Sequence, residues 1–365
     1  METIHDRYAR LLVHYCLELK PGEKVQINST YLAEPLLQAL QRELLEAGAL
    51  PHIHAAFRDQ DRLFLAHAQD HQLEYVPTAY RESMETFDAY LVIMAPFNTK
   101  EMQLVDPAKT RKMTSARSQS RKIYMERTGT RAMKRNLCLF PTEASAQEAG
   151  MSLAAYEKFV YGACLLMEPD PVQAWKTVRA NQQKVVDLLN MRESIRYTGP
   201  DIDIRFSTKG RTWINSDGQT NMPSGEVYTS PVEETVNGHI RFSFPGIFMG
   251  REIEDIHLTV KDGEVVKWEA KRGKELLDEL LSLPGARRFG EAAIGTNYHI
   301  QQLTRNMLFD EKMGGTIHMA LGQSYFQTGG KNESDVHWDM LANMRNGGAI
   351  YADDEKIYEN GEFLF

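Results

Sequence analysis

Near Tyr197 the texture of the chain changes, and that change limits the folds open to it. Upstream, amphipathic helical stretches alternate with short apolar runs. Ile4, Tyr8, Leu11, Tyr15 and Leu19 share one helical face, which predicts a helix over 4–19, stopped by Pro21-Gly22. Strand character follows at Glu23–Ile27, and helix returns over Glu34–Ala47 with Gly48 as its C-terminal cap. His52–Phe57 reads as a strand. The near-continuous apolar run Ala89–Ala95 fits a central parallel strand covered on both faces, and Asn136–Phe140 is a further strand. Helices are expected over 143–165 and 170–191. Such alternation predicts an open α/β domain with a doubly wound sheet. Downstream, short alternating strands such as Ile202–Phe206, Arg211–Ile214, Gly238–Phe242, Ile256–Val260 and Glu264–Trp268 are divided by turns such as Asp217-Gly218 and Asp262-Gly263, with one helix over 273–283. The class is therefore α/β. The N-terminal α/β domain occupies residues 1–195, followed over 196–365 by a mostly antiparallel β, partly barrel-like domain.

A chain of 365 residues is too long for one simple core, which agrees with two domains. The net charge of −8, with no basic tail or aromatic-basic stripe, argues against a nucleic-acid partner. The basic run Lys109–Arg135 reads as a solvated segment near a cleft or interface. No strand is followed by a glycine-rich phosphate loop of either nucleotide-binding pattern, so a nucleotide role is not supported. Cys16, Cys138 and Cys164 are odd in number and lack close spacing, which suits buried thiols in a reducing compartment. No apolar leader opens the chain, and no segment approaches the roughly 18 apolar residues of a membrane span. Membrane association is not expected, and a cytoplasmic location is.

The chemistry concentrates towards the C-terminus. Gly290-Glu291, then Gly314-Gly315-Thr316-Ile317-His318, then Ser324-Tyr325, then His337-Trp338-Asp339 bring two imidazoles, two carboxylates and a phenol into one stretch. Neutral imidazole and carboxylate are the ligands that borderline and hard divalent metals take at neutral pH. His337 and Asp339, two apart, would point to one face of a strand. Glu226, in Pro223-Ser224-Gly225-Glu226-Val227-Tyr228, reads as a loop glutamate free to be aimed. His318 and Asp339 likewise read as residues of glycine-rich or polar loops. His52-Ile53-His54 offers a second histidine pair, but no acidic partner lies near it in sequence. Gly322-Gln323-Ser324-Tyr325-Phe326 lacks the closing glycine of a serine-hydrolase elbow.

Together these motifs resemble the M29 family of metallo-aminopeptidases, over essentially the whole chain: Pro-Ser-Gly-Glu226-Val-Tyr, Gly-Glu291, Gly-Gly-Thr-Ile-His318-Met-Ala-Leu-Gly, Ser-Tyr325 and His337-Trp-Asp339. The resemblance implies an aminopeptidase that hydrolyses the N-terminal residue from short peptides through a metal-activated water. It implies Glu226, Glu291, His318, His337 and Asp339 as ligands of two divalent ions (Zn, Co, Mn or Mg) and Tyr325 as a catalytic residue. Glu291 would bridge the ions and be a catalytic group as well, with Glu226 and Asp339 on one ion and His318 and His337 on the other. It also implies a homodimer acting on peptides with a free N-terminus. Glu226 or Glu291 would be the proton shuttle only if not fully committed to metal, with Glu252 and Glu254 as spares. Two other readings stay open. His318, His337 and Asp339 alone make the two-histidine, one-carboxylate set of a mononuclear non-haem iron ring-cleaving dioxygenase. A non-enzymatic peptide-binding protein could also keep the fold.

Overall fold

The structure is a computed structural model that describes residues 2–248 and 251–365. The chain divides into two compact units, Met1–Trp175 with Gly218–Pro223, and Lys176–Asp217 with Ser224–Phe365.

The first unit is built on a parallel sheet of five strands. Their order is Leu50–Ala56, Lys24–Thr30, Ala89–Met94, Lys134–Leu139 and Asn221–Met222. From Lys24–Thr30 the chain adds a strand on one side and then crosses to the other, which is doubly wound topology. The apolar run at 89–94 is the central strand, as its composition predicts. Two helices differ from the sequence reading. The first is α-helical over Ile4–Leu11 and widens to a π-turn over Leu12–Cys16. The stretch 143–165 is two helices, Glu143–Glu148 and Leu153–Ala163: Gly150 sits at φ +68, and the Ser152 side chain starts the second helix by accepting from Ala155 N. The basic run falls mostly on Pro107–Ala116 and Ser118–Gly129, helices with almost nothing buried, so it is solvated. The three cysteines are buried, and among the described residues none forms a disulfide. Among the described residues no helix is long and apolar enough to cross a membrane.

The second unit holds two antiparallel sheets, and neither closes into a barrel among the described residues. The larger has nine strands; the smaller runs His337–Asn343, Thr316–Gly322, Phe289–Gly295, Glu226–Thr229 and Ile214–Ser216. Strand alternation gives this smaller sheet two unlike faces. Ile317, Met319, Leu321, Trp338, Met340 and Val227 point into the hydrophobic core shared with residues of the larger sheet such as Ile240, Phe242 and Ile256. Glu226, His318, His337 and Asp339 fall on the intervening positions and so on the opposite face. A strand slip of one residue would send these polar groups into the core, so burial of the apolar face specifies the register.

Glu291 would break this rule without a local irregularity. Phe289 pairs with Leu321 and lies in the core, yet Glu291 pairs with Ala320 and the register shifts between them. Gly290 is thus the extra residue of a β-bulge, and the bulge turns Glu291 from the core face to the polar face. Only glycine fits there: a Cβ at 290 would sit 2.4 Å from Gln323 O and 2.5 Å from Gly322 O. The Gly290 carbonyl accepts from Ser230 Oγ at 2.6 Å. Gly290→Ala is expected to lower stability by about 1–3 kcal/mol through this overpacking, read as a lower denaturant midpoint at unchanged slope. Parent-like stability would mean that the bulge tolerates a side chain.

Candidate metal centre

The six residues that the family resemblance implies for the site all lie in the second unit, and five of them converge on the polar face of the smaller sheet. Glu226 opens one strand, Glu291 is third in the next, His318 is third in Thr316–Gly322, and His337 and Asp339 start the edge strand. These are strand positions, not the loops that the glycine-rich sequence suggests for Glu226, His318 and Asp339. The glycines serve turns and close approaches around the strands instead. The cross-strand pairs Ala293–His318, Glu291–Ala320 and Ala320–Asp339 put small side chains between the polar ones. Alanine at 293 and 320 leaves the floor open, so the longer acidic and imidazole groups can meet above it.

Glu291 is at the centre. Its Oε2 lies 3.1 Å from His337 Nε2 and its Oε1 3.7 Å from His318 Nε2. On one side His318 Nε2 is 3.5 Å from Glu226 Oε2, and on the other His337 Nε2 is 3.6 Å from Asp339 Oδ1. The spatial grouping is therefore Glu226 with His318 and Asp339 with His337, and each pair faces one oxygen of Glu291. This differs from a grouping of the two outer carboxylates together and the two imidazoles together. Glu291, His337 and Asp339 can bring one ligand atom each within 4.8 Å of one another.

Burial sets the electrostatics. Desolvation pushes the Glu226 and Asp339 carboxyls above their usual range, against the pull of Lys312 and His318 on Glu226 and of His337 on Asp339. It acts on Glu291 in the same direction, but hydrogen bonds and charge from the two imidazoles outweigh it and hold that carboxyl low. Burial also disfavours charge on the imidazoles. Glu291 and the neighbouring carboxylates overcome this and raise His318 to about 9 and His337 to about 10. Protons on imidazole thus supply the positive charge that the carboxylates demand when no other cation is present. Glu226 Oε2 and Asp339 Oδ1 are buried without a hydrogen-bond partner, as is His318 Nδ1. Unpartnered carboxylate oxygens facing imidazole nitrogens fit a cation, since buried acceptors otherwise find donors. The His337 ring is oriented from behind: its Nδ1 donates to Gln323 O at 2.8 Å, which leaves Nε2 for the site.

Tyr325 lies at the rim, 37% exposed, with its hydroxyl 3.3 Å from His337 Nε2. Its ring meets Tyr228 edge-on at 5.5 Å between centroids. Burial of the hydroxyl end, with Glu291 and Asp339 beside it, pushes the phenol above its usual range, so it remains a donor. Other sequence candidates lie elsewhere. Glu254 pairs with Arg272 at 2.6 Å and Glu252 with Arg305 at 3.5 Å. His52 Nδ1 meets Gln26 Oε1 at 2.7 Å in the other unit.

Two residues near the site escape sequence reading. Tyr228 is two positions from Glu226 on one strand, the same spacing that marks His337 and Asp339, and that spacing could have found it. Lys312 is fully buried, with Nζ 3.5 Å from Glu226 Oε1. Beside Glu311 in sequence it looks like an ordinary solvated charge pair, and no sequence signal distinguishes it.

Comparison with known proteins gives a consistent answer. The family model described as thermophilic metalloprotease (M29) matches residues 1–363. Aminopeptidase 2 of Geobacillus stearothermophilus is 27% identical, over 99% of this chain and 97% of that protein. Aminopeptidase PepS of Streptococcus thermophilus is also 27% identical, over 98% and 97%. Among solved structures, wild-type AmpT from Thermus thermophilus superposes with a TM-score of 0.83 at 23% identity, covering 99% of both chains, and so shares the fold.

Asp339→Asn keeps the shape of the side chain and removes its charge. It is expected to leave the far-ultraviolet circular dichroism unchanged and to weaken divalent-ion binding, followed by titration with cobalt, about tenfold or more. Unchanged affinity would take Asp339 out of the centre.

Proposed function

The chain belongs to the thermophilic metalloprotease (M29) family, and we propose that it is a metal-dependent aminopeptidase that removes the N-terminal residue of short peptides at a centre of two divalent ions. The observation that carries this reading is the Glu291 carboxylate, with one oxygen towards His318 and Glu226 and the other towards His337 and Asp339. Glu226 and His318 would hold one ion and His337 and Asp339 the other, with Glu291 shared. Five donors exceed what one open catalytic ion takes from a protein, which favours a pair. The iron-dioxygenase reading needs only two histidines and one carboxylate, and it leaves buried Glu226 and Glu291 without a task.

Bound divalent metal supplies a nucleophile from water near neutral pH and polarises the scissile carbonyl. The protein's own groups do the rest. Gln323 O holds His337 in the tautomer that turns Nε2 inward. Tyr325, at the open rim beside His337, is placed to donate to the oxygen that becomes negative as the peptide carbonyl is attacked. Tyr228, edge-on to that ring, limits how it turns. Once its carboxylates are committed to divalent ions, the centre would accept the neutral α-amine of a peptide N-terminus as a donor but not an acylated nitrogen, and that difference would confine the enzyme to the first residue.

The assay is release of amino acids from a short peptide and from its N-acetylated twin. The free peptide is expected to be cleaved from its N-terminus, cleavage to stop on chelation and to return with added divalent ion, and the acetylated twin to survive. Cleavage of both, or of neither by metal-loaded protein, would contradict an aminopeptidase. Tyr325→Phe isolates the hydroxyl. We expect kcat to fall about 10²–10³-fold with KM and metal content near the parent's. Full kcat would leave Tyr325 as a packed aromatic, and lost metal would make it a ligand or the support of one.

A further inference from the structure

Lys312 has no place in the chemistry above, yet among the described residues it is the charged side chain buried most completely, with 0% exposure. An ammonium removed from water costs several kcal/mol unless its charge is matched. Lys312 Nζ has two anionic neighbours: Glu311, in direct hydrogen-bond contact, and Glu226 Oε1 at 3.5 Å. A buried ion pair is seldom kept for stability alone, since well-packed apolar residues serve as well or better. The reason for the charge therefore lies in what it does to its partners.

The backbone shows that this contact is built. Thr296 and Asn297 bind both segments that carry the pair. Thr296 N donates to Gly225 O at 2.8 Å, and Asn297 Nδ2 donates to Ser224 O at 2.9 Å, one and two residues before Glu226. Asn297 N donates to Lys312 O at 3.0 Å, and Gly314 N donates back to Asn297 O at 2.9 Å. The loop before the His318 strand is thereby fastened to the start of the Glu226 strand, and the lysine is delivered to one side of the carboxylate. The two oxygens of Glu226 then differ. Oε1 faces Lys312, while Oε2 lies towards His318 and has no hydrogen-bond partner.

We propose that Lys312 is a positioning residue for the metal centre: its ammonium engages Glu226 Oε1 and so presents Oε2 alone to the ion held with His318. Glu311 balances the lysine's charge, so that the ammonium does not add to the positive charge of the ions. The direct contact is one-sided: Lys312 lies against Glu226, whereas Asp339 feels its charge only at longer range, so the Glu226–His318 half of the centre depends on Lys312 more than the His337–Asp339 half does. This inference rests on the metal-holding role of Glu226 proposed above.

The test is titration of the full-length apoprotein with cobalt, followed by calorimetry and by the visible absorption of the bound ion. Lys312→Met keeps the length of the side chain and removes the charge. Binding of one cobalt ion is expected to weaken about 10–100-fold and its absorption bands to shift, as for other losses of an outer partner, while the affinity for the second ion changes several-fold less. A cycle with Glu226→Gln separates positioning from mere packing. If Lys312 acts through Glu226, adding Lys312→Met to Glu226→Gln changes cobalt binding less than twofold. Parent-like affinities and spectrum in Lys312→Met would overturn the proposal. So would a further tenfold loss in the double variant, and that comparison still decides the matter if Lys312→Met alone does not fold. A parent that binds no divalent ion would defeat the metal-centre reading itself, whereas a parent that loads normally beside an indifferent Lys312→Met defeats only this inference.

Discussion

The second unit is organised around one carboxylate held between two imidazoles. Glu291 reaches that position because an extra glycine in its strand reverses the side-chain alternation, so that Phe289 stays in the core while Glu291 leaves it. Every other group of the centre follows from regular alternation on neighbouring strands. The sheet thus does two tasks with one register. Its inner face, with Trp338, Met340, Met319 and Ile317, buries enough apolar surface to specify the pairing. Its outer face inherits that precision for Glu226, His318, His337 and Asp339.

Strands are stiffer supports than loops, and the difference matters for a centre with this charge. Three carboxylates with little water around them repel one another strongly unless cations stand between them. In the absence of metal, protons on His318 and His337 and the ammonium of Lys312 fill that role. Loops could relieve the repulsion by moving apart, whereas paired strands cannot without breaking their ladders. The fold holds the acceptors together in advance, which would lower the reorganisation required if divalent ions replace the protons as proposed.

Much of this was legible in the amino-acid order, for identifiable reasons. The apolar run at 89–94 fits the central parallel strand that it forms, although alternate residues on it are only half-buried, and the turn-divided alternation after Tyr197 fits the antiparallel strands found there. His337 and Asp339 share a face as their spacing requires. The strands Phe289–Gly295 and Thr316–Gly322 were not legible, because glycine and alanine, placed there to let backbones approach and to clear the floor of the site, weaken the β signal. Hence His318 looked like a loop residue, as did Glu226 on its own strand behind Pro223-Ser224-Gly225. The grouping of Glu226 with His318 depends on the pairing of strands far apart in sequence, and no local pattern carries it. Lys312 is the extreme case: beside Glu311 it has the appearance of a surface charge, and only the closure of its loop onto Thr296 and Asn297 buries it.

The central claim is that the outer face of the smaller sheet holds two cations on either side of Glu291. The most direct measurement is anomalous X-ray scattering from a crystal of the metal-loaded protein, recorded on both sides of the metal's absorption edge. Two peaks are predicted in each chain, one among Glu226, His318 and Glu291 and the other among Glu291, His337 and Asp339, separated by about 3.5–4 Å. A single peak, or peaks away from Glu291, would contradict the account.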